Sequence, residues 1–469
     1  LFTAVPANAQ TPPPPIPNNA YAIELFQGPL LAPIHVIGVG GAYVASAEGT
    51  EGAAVNAASP AVRDPYSAHW FDYDVSLGAT LLGAFSRTDF DNHGDFASLP
   101  NHALAGDFVD VNVGGTLKFG PTGLATTGDL QQYSLSSGAP DSPALTMQIG
   151  RWKALGAFTL LDGQLALGGG VRILTLQIFQ RGGGTVLTMS GLGPELGALV
   201  MPTGQQWRVG LTARAPVIGG VFRSGDVSVG PDGVRSAGSF VLPSRVDMPW
   251  ELEIGAAYQL GPRPLNPGWL DPHDQEAPLR QEIQRARDDR ARHRAAELAN
   301  LPPGERAARG RELDDRERAS RAAEDERLDA DSQRLHDVRK ARYGNWPRER
   351  ILLLASARIA GPSASAVSVE GFLDQRVETV GRSVTVTPSF GVEGEPLRDR
   401  MLLRVGTYVE PSRYEGGTPR QHFTFGADVR LFAFTAWGLF PDDASLKIMT
   451  VLDVAPRYTN SGIAIGFWH

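Results

Sequence analysis

Between Trp70 and Trp468 the chain repeats one pattern, in which apolar and polar residues alternate over segments separated by turn-forming residues. Phe71, Tyr73, Val75 and Leu77 share one face of an extended chain, against Asp72, Asp74 and Ser76. Val109, Val111 and Val113 repeat the pattern, as do Leu145, Met147 and Ile149, and then Leu165, Leu167, Val171 and Ile173. A period of two commits these segments to strands with two unlike faces. Turn signals lie between them at Gly120-Pro121-Thr122-Gly123, Asp162-Gly163 and Pro202-Thr203-Gly204. Further strands read at 207–215, 251–260, 351–360, 383–392, 402–409, 422–434, 445–454 and 461–468, with weaker patterns over 124–135 and 195–201. The count reaches about fourteen, and bacterial barrels prefer an even number. The expected fold class is therefore all-β: a transmembrane antiparallel β-barrel of about 14 strands. Paired β-sandwiches would also use such strands, but their length and their alternating short and long connections favour a barrel.

Composition agrees. No run approaches the ~20 apolar residues of a spanning helix, and a mean hydropathy of -0.15 is what lumen-facing polar residues give a barrel. A net charge of -8 argues against nucleic acid as a partner. The absence of cysteine suits an exported chain.

Ahead of the strands, residues 35–64 read HVIGVGGAYVASAEGTEGAAVNAASPAVRD. A helix would lose about 1 kcal/mol for each interior glycine, and a core strand has no use for so many missing side chains. Tight packing inside something larger suits such a stretch. The run Gly40-Gly41-Ala42-Tyr43, closed by Ser59-Pro60-Ala61, resembles the N-terminal hatch of the FadL-type outer-membrane transporters and their PorV-like relatives. That family closes the hatch with Asn-Pro-Ala, so Ser59 is a departure at the gating tripeptide. The resemblance implies a hatch plugging the lumen, with Gly38, Gly40, Gly41, Asn56, Ser59, Pro60 and Ala61 as its gate. It also implies substrate entry from the outer face and uptake of hydrophobic small molecules without catalysis. A PorV-like anchor or scaffold for an envelope protein complex is the alternative.

One region breaks the strand rhythm. Residues 271–343 are rich in Arg, Glu, Asp and Ala, with acid and base nearly balanced. Glu282 with Arg285 and Glu324 with Arg327 have helical i,i+3 spacing. Two helices are expected, hinged near Leu301-Pro302-Pro303-Gly304 and either loosely paired or individually held by salt bridges. The expected organisation is a signal-peptide remnant at 1–9, after Ala7-Asn8-Ala9, and an extended, solvated Pro-rich segment over 10–34. A hatch follows at 35–65, then strands 1–8 over 66–260, the insertion at 261–347 and strands 9–14 over 348–469. If the first strand runs outward, the eighth runs inward and places the insertion in the periplasm, where it could meet an envelope protein partner.

Phe467 and Trp468 close the last strand and resemble the terminal signal by which outer-membrane barrels are recognised for insertion. Asp89, Asp91 and Asp95 alternate before and after Gly94 as in a calcium loop, although Pro100 stands where the bidentate Glu belongs. Calcium is the only candidate cofactor. Gly38-Val39-Gly40-Gly41-Ala42-Tyr43 lacks the third glycine of a dinucleotide site, and there is no nucleophile elbow or His-Glu-x-x-His zinc motif. The remaining partners are outer-membrane lipid and a hydrophobic small molecule.

Overall fold

The computed structural model describes residues 13–26, 28–63, 67–84, 88–94, 104–136, 144–180, 184–224, 227–347, 349–363, 365–433 and 445–468. The candidate signal remnant 1–9 and Asp95 lie outside these residues.

The wall is a closed antiparallel barrel of 14 strands. They are β1 (Phe71–Leu82), β2 (Leu104–Phe119), β3 (Thr122–Ser136), β4 (Leu145–Leu160), β5 (Leu165–Gln180), β6 (Thr185–Val200) and β7 (Trp207–Arg214). There follow β8 (Glu251–Leu260), β9 (Ile351–Ala360), β10 (Thr385–Leu397), β11 (Met401–Glu410), β12 (Arg420–Ala433), β13 (Ser445–Ala455) and β14 (Tyr458–Trp468). Each strand pairs with its sequence neighbours, and β1 closes on β14 with Ser76 opposite Gly466 and Leu82 opposite Asn460. Closure leaves no unpaired edge, the condition for a sheet to stand in lipid. The alternation sorts by face. On β7, Trp207, Val209 and Leu211 point outward while Arg208, Thr212 and Arg214 are buried. Outward positions on other strands are likewise apolar, including Leu124, Ile254, Phe423, Phe425, Ile463 and Ile465. That exterior is a lipid-facing surface.

One end carries the tight turns at Gly120-Pro121 and residues 161–164 and also the connection 261–350; the other carries the long connections 83–103, 215–250 and 361–384 and also the tight turn 456–457. Past Pro216, β7 continues as Val217–Ser224, and Arg245–Met248 precedes β8 across Pro249. The N-terminal strand Ala22–Glu24 runs parallel to two partners at once, Arg245–Asp247 and Ala366-Val367. The Pro-rich segment is extended as expected, but its described part is not simply solvated. The Ile16 amide donates to Gln375 O at 2.8 Å, the Val377 amide donates to Pro14 O at 2.8 Å, and Ile16 is buried. An extended chain leaves its backbone groups free, and here a neighbouring loop takes them.

Residues 34–61 hold α1 (Ile34–Gly38), α2 (Gly49–Ala53) and a 3-10 turn, Ser59–Ala61. They are packed against inward faces of wall strands, and the wall is shaped to receive them. A side chain at Gly168 of β5 would fall on the Ala57 carbonyl, one at Gly123 of β3 on the Pro60 carbonyl, and one at Gly210 of β7 on the Val44 carbonyl. On the opposite strands, Gly391 of β10 meets Val39 and Gly406 of β11 meets Gly40. Backbone thus packs on backbone where side chains would hold the two apart.

Residues 267–347, with 64–72, form a second compact unit. It is an antiparallel hairpin of α3 (Pro272–Ala299) and α4 (Pro303–Gly344). Asp271 caps α3, its side chain accepting from the His273 amide. Two expected partnerships are replaced. Glu282 pairs with Arg327 at 3.0 Å, and Glu324 pairs with Arg287 and Arg290, each at 2.7 Å. Arg290–Glu317 (2.9 Å) and Arg294–Asp314 (2.6 Å) extend this cross-helix ladder. Arginine is long enough to reach the other helix, and one bond across the hairpin restrains both.

Candidate ligand chamber and hatch

The lumen changes chemistry along its axis. Toward the long-connection end the inward residues of β3 to β6 are apolar: Tyr133, Leu135, Leu145, Met147, Ile149, Leu174, Leu176, Leu187 and Met189 are all buried in one cluster. Ile23, Leu25, Phe90, Phe240 and Phe372 join it from the N-terminal strand and the outer connections. A cleft lies here, lined by Leu25, Phe26, Phe90, Tyr133, Leu135 and Ile149, among others. Its lining is mixed: the apolar side sits opposite the charged side chains of Glu24, Asp91, Glu370 and Arg413.

Nearer the hatch the inward positions become charged. A cavity of about 1310 Å³ is lined by Leu30, Val36 and Gly40 from the hatch side, and by Asp129, Arg151, Lys153, Arg214, Glu251 and Glu253 from the wall. These charges are paired. Glu195 accepts from Lys153 and from Arg214, both at 3.1 Å, and Arg172 donates to Glu251 at 2.7 Å. Lys153 also donates to Ala54 O at 2.7 Å, and Arg214 to Val55 O, so wall cations hold hatch carbonyls. Across the lumen Arg404 joins Glu393 (2.7 Å) and Asp428, while His35 of α1 sits 3.0 Å from Glu393. His422 lies between Glu410 (2.7 Å) and Asp453 (2.9 Å). Removing one member of such a buried pair costs about 3–5 kcal/mol.

The gate residues expected from the resemblance occupy this hatch. The Gly38 carbonyl accepts from Thr424 Oγ1 at 3.1 Å. Gly40 and Gly41 have φ of +64° and +82°, and a side chain at Gly40 would come within 2.7 Å of Thr407 N. Asn56 is fully buried; its amide donates to Val44 O (2.9 Å) and Ala198 O (3.2 Å), and its Oδ1 accepts from the Ala58 amide. Ser59 donates to Gly49 O at 3.0 Å, and Pro60 and Ala61 complete the turn seated beside Gly123. Asn56 therefore ties one hatch segment to another and to the wall, while Ser59 closes the hatch on itself.

The described carboxylates of the candidate calcium loop face protein donors. Asp89 accepts from the His93 and Gly94 amides at 3.0 Å, and Asp91 accepts from the Tyr414 hydroxyl. No cluster of three acidic, His or Cys ligands is found among the described residues. Burial, with the Asp89 carboxylate nearby, keeps the Asp91 carboxyl up at about 6 despite the Tyr414 bond. At the other end, Trp468 Nε1 donates to Asp399 at 3.0 Å, and Phe467 meets Tyr73 edge-on.

The paired charges above escaped sequence reasoning. Their one signal is charge at alternate positions of otherwise apolar strands, as in Glu251-x-Glu253 or Arg208 with Thr212 and Arg214.

No protein-family model and no curated protein matches the chain. Among solved structures it is similar to a Pseudomonas aeruginosa FadL homologue (TM-score 0.47, 11% identity, covering 97% of this chain and 98% of that one). It is also similar to the CymD monoaromatic hydrocarbon channel (0.45, 9%, 93% and 96%) and to the Ralstonia pickettii toluene transporter TbuX (0.45, 10%, 93% and 97%). By its closed wall of 14 antiparallel strands and its apolar exterior, the chain is a transmembrane β-barrel of the outer-membrane type.

Proposed function

We propose that the protein takes up hydrophobic small molecules across the outer membrane, receiving them in the apolar chamber and holding the lumen closed with the hatch. The observation that carries this is the chamber itself: buried apolar side chains of β3 and β4, with Leu25, Phe26 and Phe90, line space at the long-connection end. A purely structural barrel would not need such a space. The paired charges at the hatch serve closure rather than catalysis. The short-turn end faces the periplasm, which puts the chain between β8 and β9 on that side; labelling of Ala308→Cys on intact cells by an impermeant thiol reagent would overturn this orientation.

The function is tested with the purified barrel in liposomes and a fluorescent naphthylamine as the apolar probe. Leu135→Asp and Ile149→Asp each put a carboxylate in the chamber. Probe binding should weaken about tenfold or more, because burying an unpaired charge beside an apolar ligand is strongly unfavourable. Binding equal to wild type in correctly folded variants would remove the chamber from the function.

A further inference from the structure

A polar patch occupies the inner wall where β1, β2 and β3 run side by side. Asp110 and Asn112 point inward from β2, and their partners in register on β3 are Gln131 and Asp129. Thr80 of β1 stands beside Asp110, though not in bonding geometry. Thr80, Asp110 and Gln131 are fully buried, and Asn112 is 8% exposed. The two amides are fixed in orientation. Asn112 Nδ2 donates to Asp110 Oδ2 at 2.7 Å and Gln131 Nε2 to Asp129 Oδ1 at 3.3 Å, so turning either amide over would set its oxygen against a carboxylate. That leaves Asp110 Oδ1, Asn112 Oδ1, Gln131 Oε1 and Thr80 Oγ1 enclosed without a hydrogen-bond partner among the described residues. A buried acceptor left unpaired is costly, and a folded chain tolerates few. Here they gather on neighbouring positions of one wall.

Charge is out of balance in the same place. Arg151 of β4 donates to Asp129 at 3.1 Å, and Lys153 is bonded to Ala54 O and Glu195. The Asp129 carboxylate is therefore met by a cation, and that of Asp110 has none bonded to it among the described residues. A hard cation answers both deficits, since it takes several oxygens and carries the missing charge. Asn112 and Asp129 also line the hatch-level cavity, which gives an ion a way in from lumenal water. On the chamber side, the next inward residues along β2 and β3, Phe108 and Tyr133, stack with ring centroids 5.5 Å apart and set an apolar cover over the patch.

We propose that this patch is a sodium site, with Asp110 Oδ1, Asn112 Oδ1, Gln131 Oε1 and Thr80 Oγ1 as its oxygen ligands. A monovalent ion is specified because Asp110 contributes one unmatched negative charge, and a divalent ion would leave positive charge enclosed without a partner. Neutral oxygens from two amides and a hydroxyl make up most of the set, unlike the carboxylate-rich loop around Asp89 and Asp91. Whether or not the chamber takes up apolar molecules, the patch calls for the same ion.

The test uses the purified full-length barrel in detergent micelles, freed of alkali metals by dialysis into choline chloride and titrated with sodium chloride at constant ionic strength. Broadening of the sodium magnetic resonance reads binding, and the thermal midpoint of the strand circular-dichroism signal reads stabilisation of the folded state by mass action. Wild type should broaden the resonance and show a saturable rise in midpoint. Asp110→Asn, which keeps the shape and removes the charge, should weaken sodium binding about tenfold or more. Gln131→Met removes one ligand oxygen and should weaken it less, while Glu282→Gln in the helical hairpin should leave it unchanged. If Asp110→Asn does not fold, Gln131→Met must show the weakened response instead. A wild-type barrel that ignores sodium, or a folded Asp110→Asn variant that responds as wild type does, overturns the inference. A midpoint that rises with calcium and not with sodium overturns it too, as does one that ignores sodium and rises on acidification, which would assign the patch to a proton.

Discussion

The hatch and the helical hairpin are both additions to the same wall, and they are held by opposite means. The hatch is nearly all buried, and its backbone lies against wall glycines such as Gly168 and Gly406. Its few polar anchors are enclosed: Lys153 and Arg214 end on the carbonyls of Ala54 and Val55. The hairpin buries little beyond Glu276, Ile283, Arg339 and Tyr343, and depends on arginine–carboxylate pairs in water. Exposed pairs contribute about 0–1 kcal/mol each and are screened by salt. Close packing and enclosed charge give the hatch one position, whereas the hairpin is stabilised by many small terms that depend on solvent.

Three changes sharpen this contrast. The largest effect is expected from Arg214→Met, which strips Glu195, Glu251 and Glu253 of a shared partner and frees Val55 O. A loss of about 3–5 kcal/mol is expected, measured as a fall in the denaturant midpoint of the reconstituted barrel. A midpoint equal to wild type would mean that the hatch-level network is not energetically closed.

Gly406→Val should come next. The new side chain lands on the Gly40 amide, and overpacking costs about 1–3 kcal/mol. The barrel should still show its folded gel mobility while dye leak rises. A tight, equally stable variant would show that the hatch is not seated on β11.

The smallest effect on the barrel, and the clearest on the hairpin, is expected from acid. Hydrogen bonds from Arg290 and Arg321 hold the Glu317 carboxyl down at about 2, and Arg290 with Arg287 lowers that of Glu324. Their folded values lie below the ordinary value of 4.5, so their contribution is present above that pH and is lost as pH falls toward about 2. The helical circular-dichroism signal should decline over that window while the strand signal stays. A helical signal that is flat across it would leave the ladder without a stabilising role.

The wall was legible because its two faces meet unlike surroundings, lipid outside and lumen inside, which imposes a period of two even where the inward residues are apolar. Even the faint pattern over 195–201 belongs to a longer strand, Thr185–Val200, whose alternation is diluted by Gly191, Gly193, Pro194 and Gly197. Hydrogen bonds from β5 and β7 maintain that strand where its own side chains do not. The close packing of residues 34–61 on the wall was legible from their missing side chains. The chamber and the charge network were not, because their partners come from strands far apart in the sequence: Arg172 and Glu251 are 79 residues apart, and no local pattern joins them. The hairpin's helices were legible, but its pairing was assigned within each helix because i,i+3 spacing is visible in a sequence and cross-helix reach is not.

The N-terminal strand has a consequence for how the molecule is made. Ile16 is bonded among the long connections, Ala22–Glu24 runs parallel to the inward-going Arg245–Asp247, and Arg63 leaves beside the short turn at Gly120. The polypeptide is therefore strung through its own cylinder from one mouth to the other. A strung cylinder cannot be loaded after it is sealed without threading a free end down a filled bore. The economical order of events is that the early strands gather around the hatch and the N-terminal strand, and that zipping of β14 onto β1 comes last. The final seam would then act as a checkpoint, since a plug that had not settled would hold Ser76 and Gly466 apart.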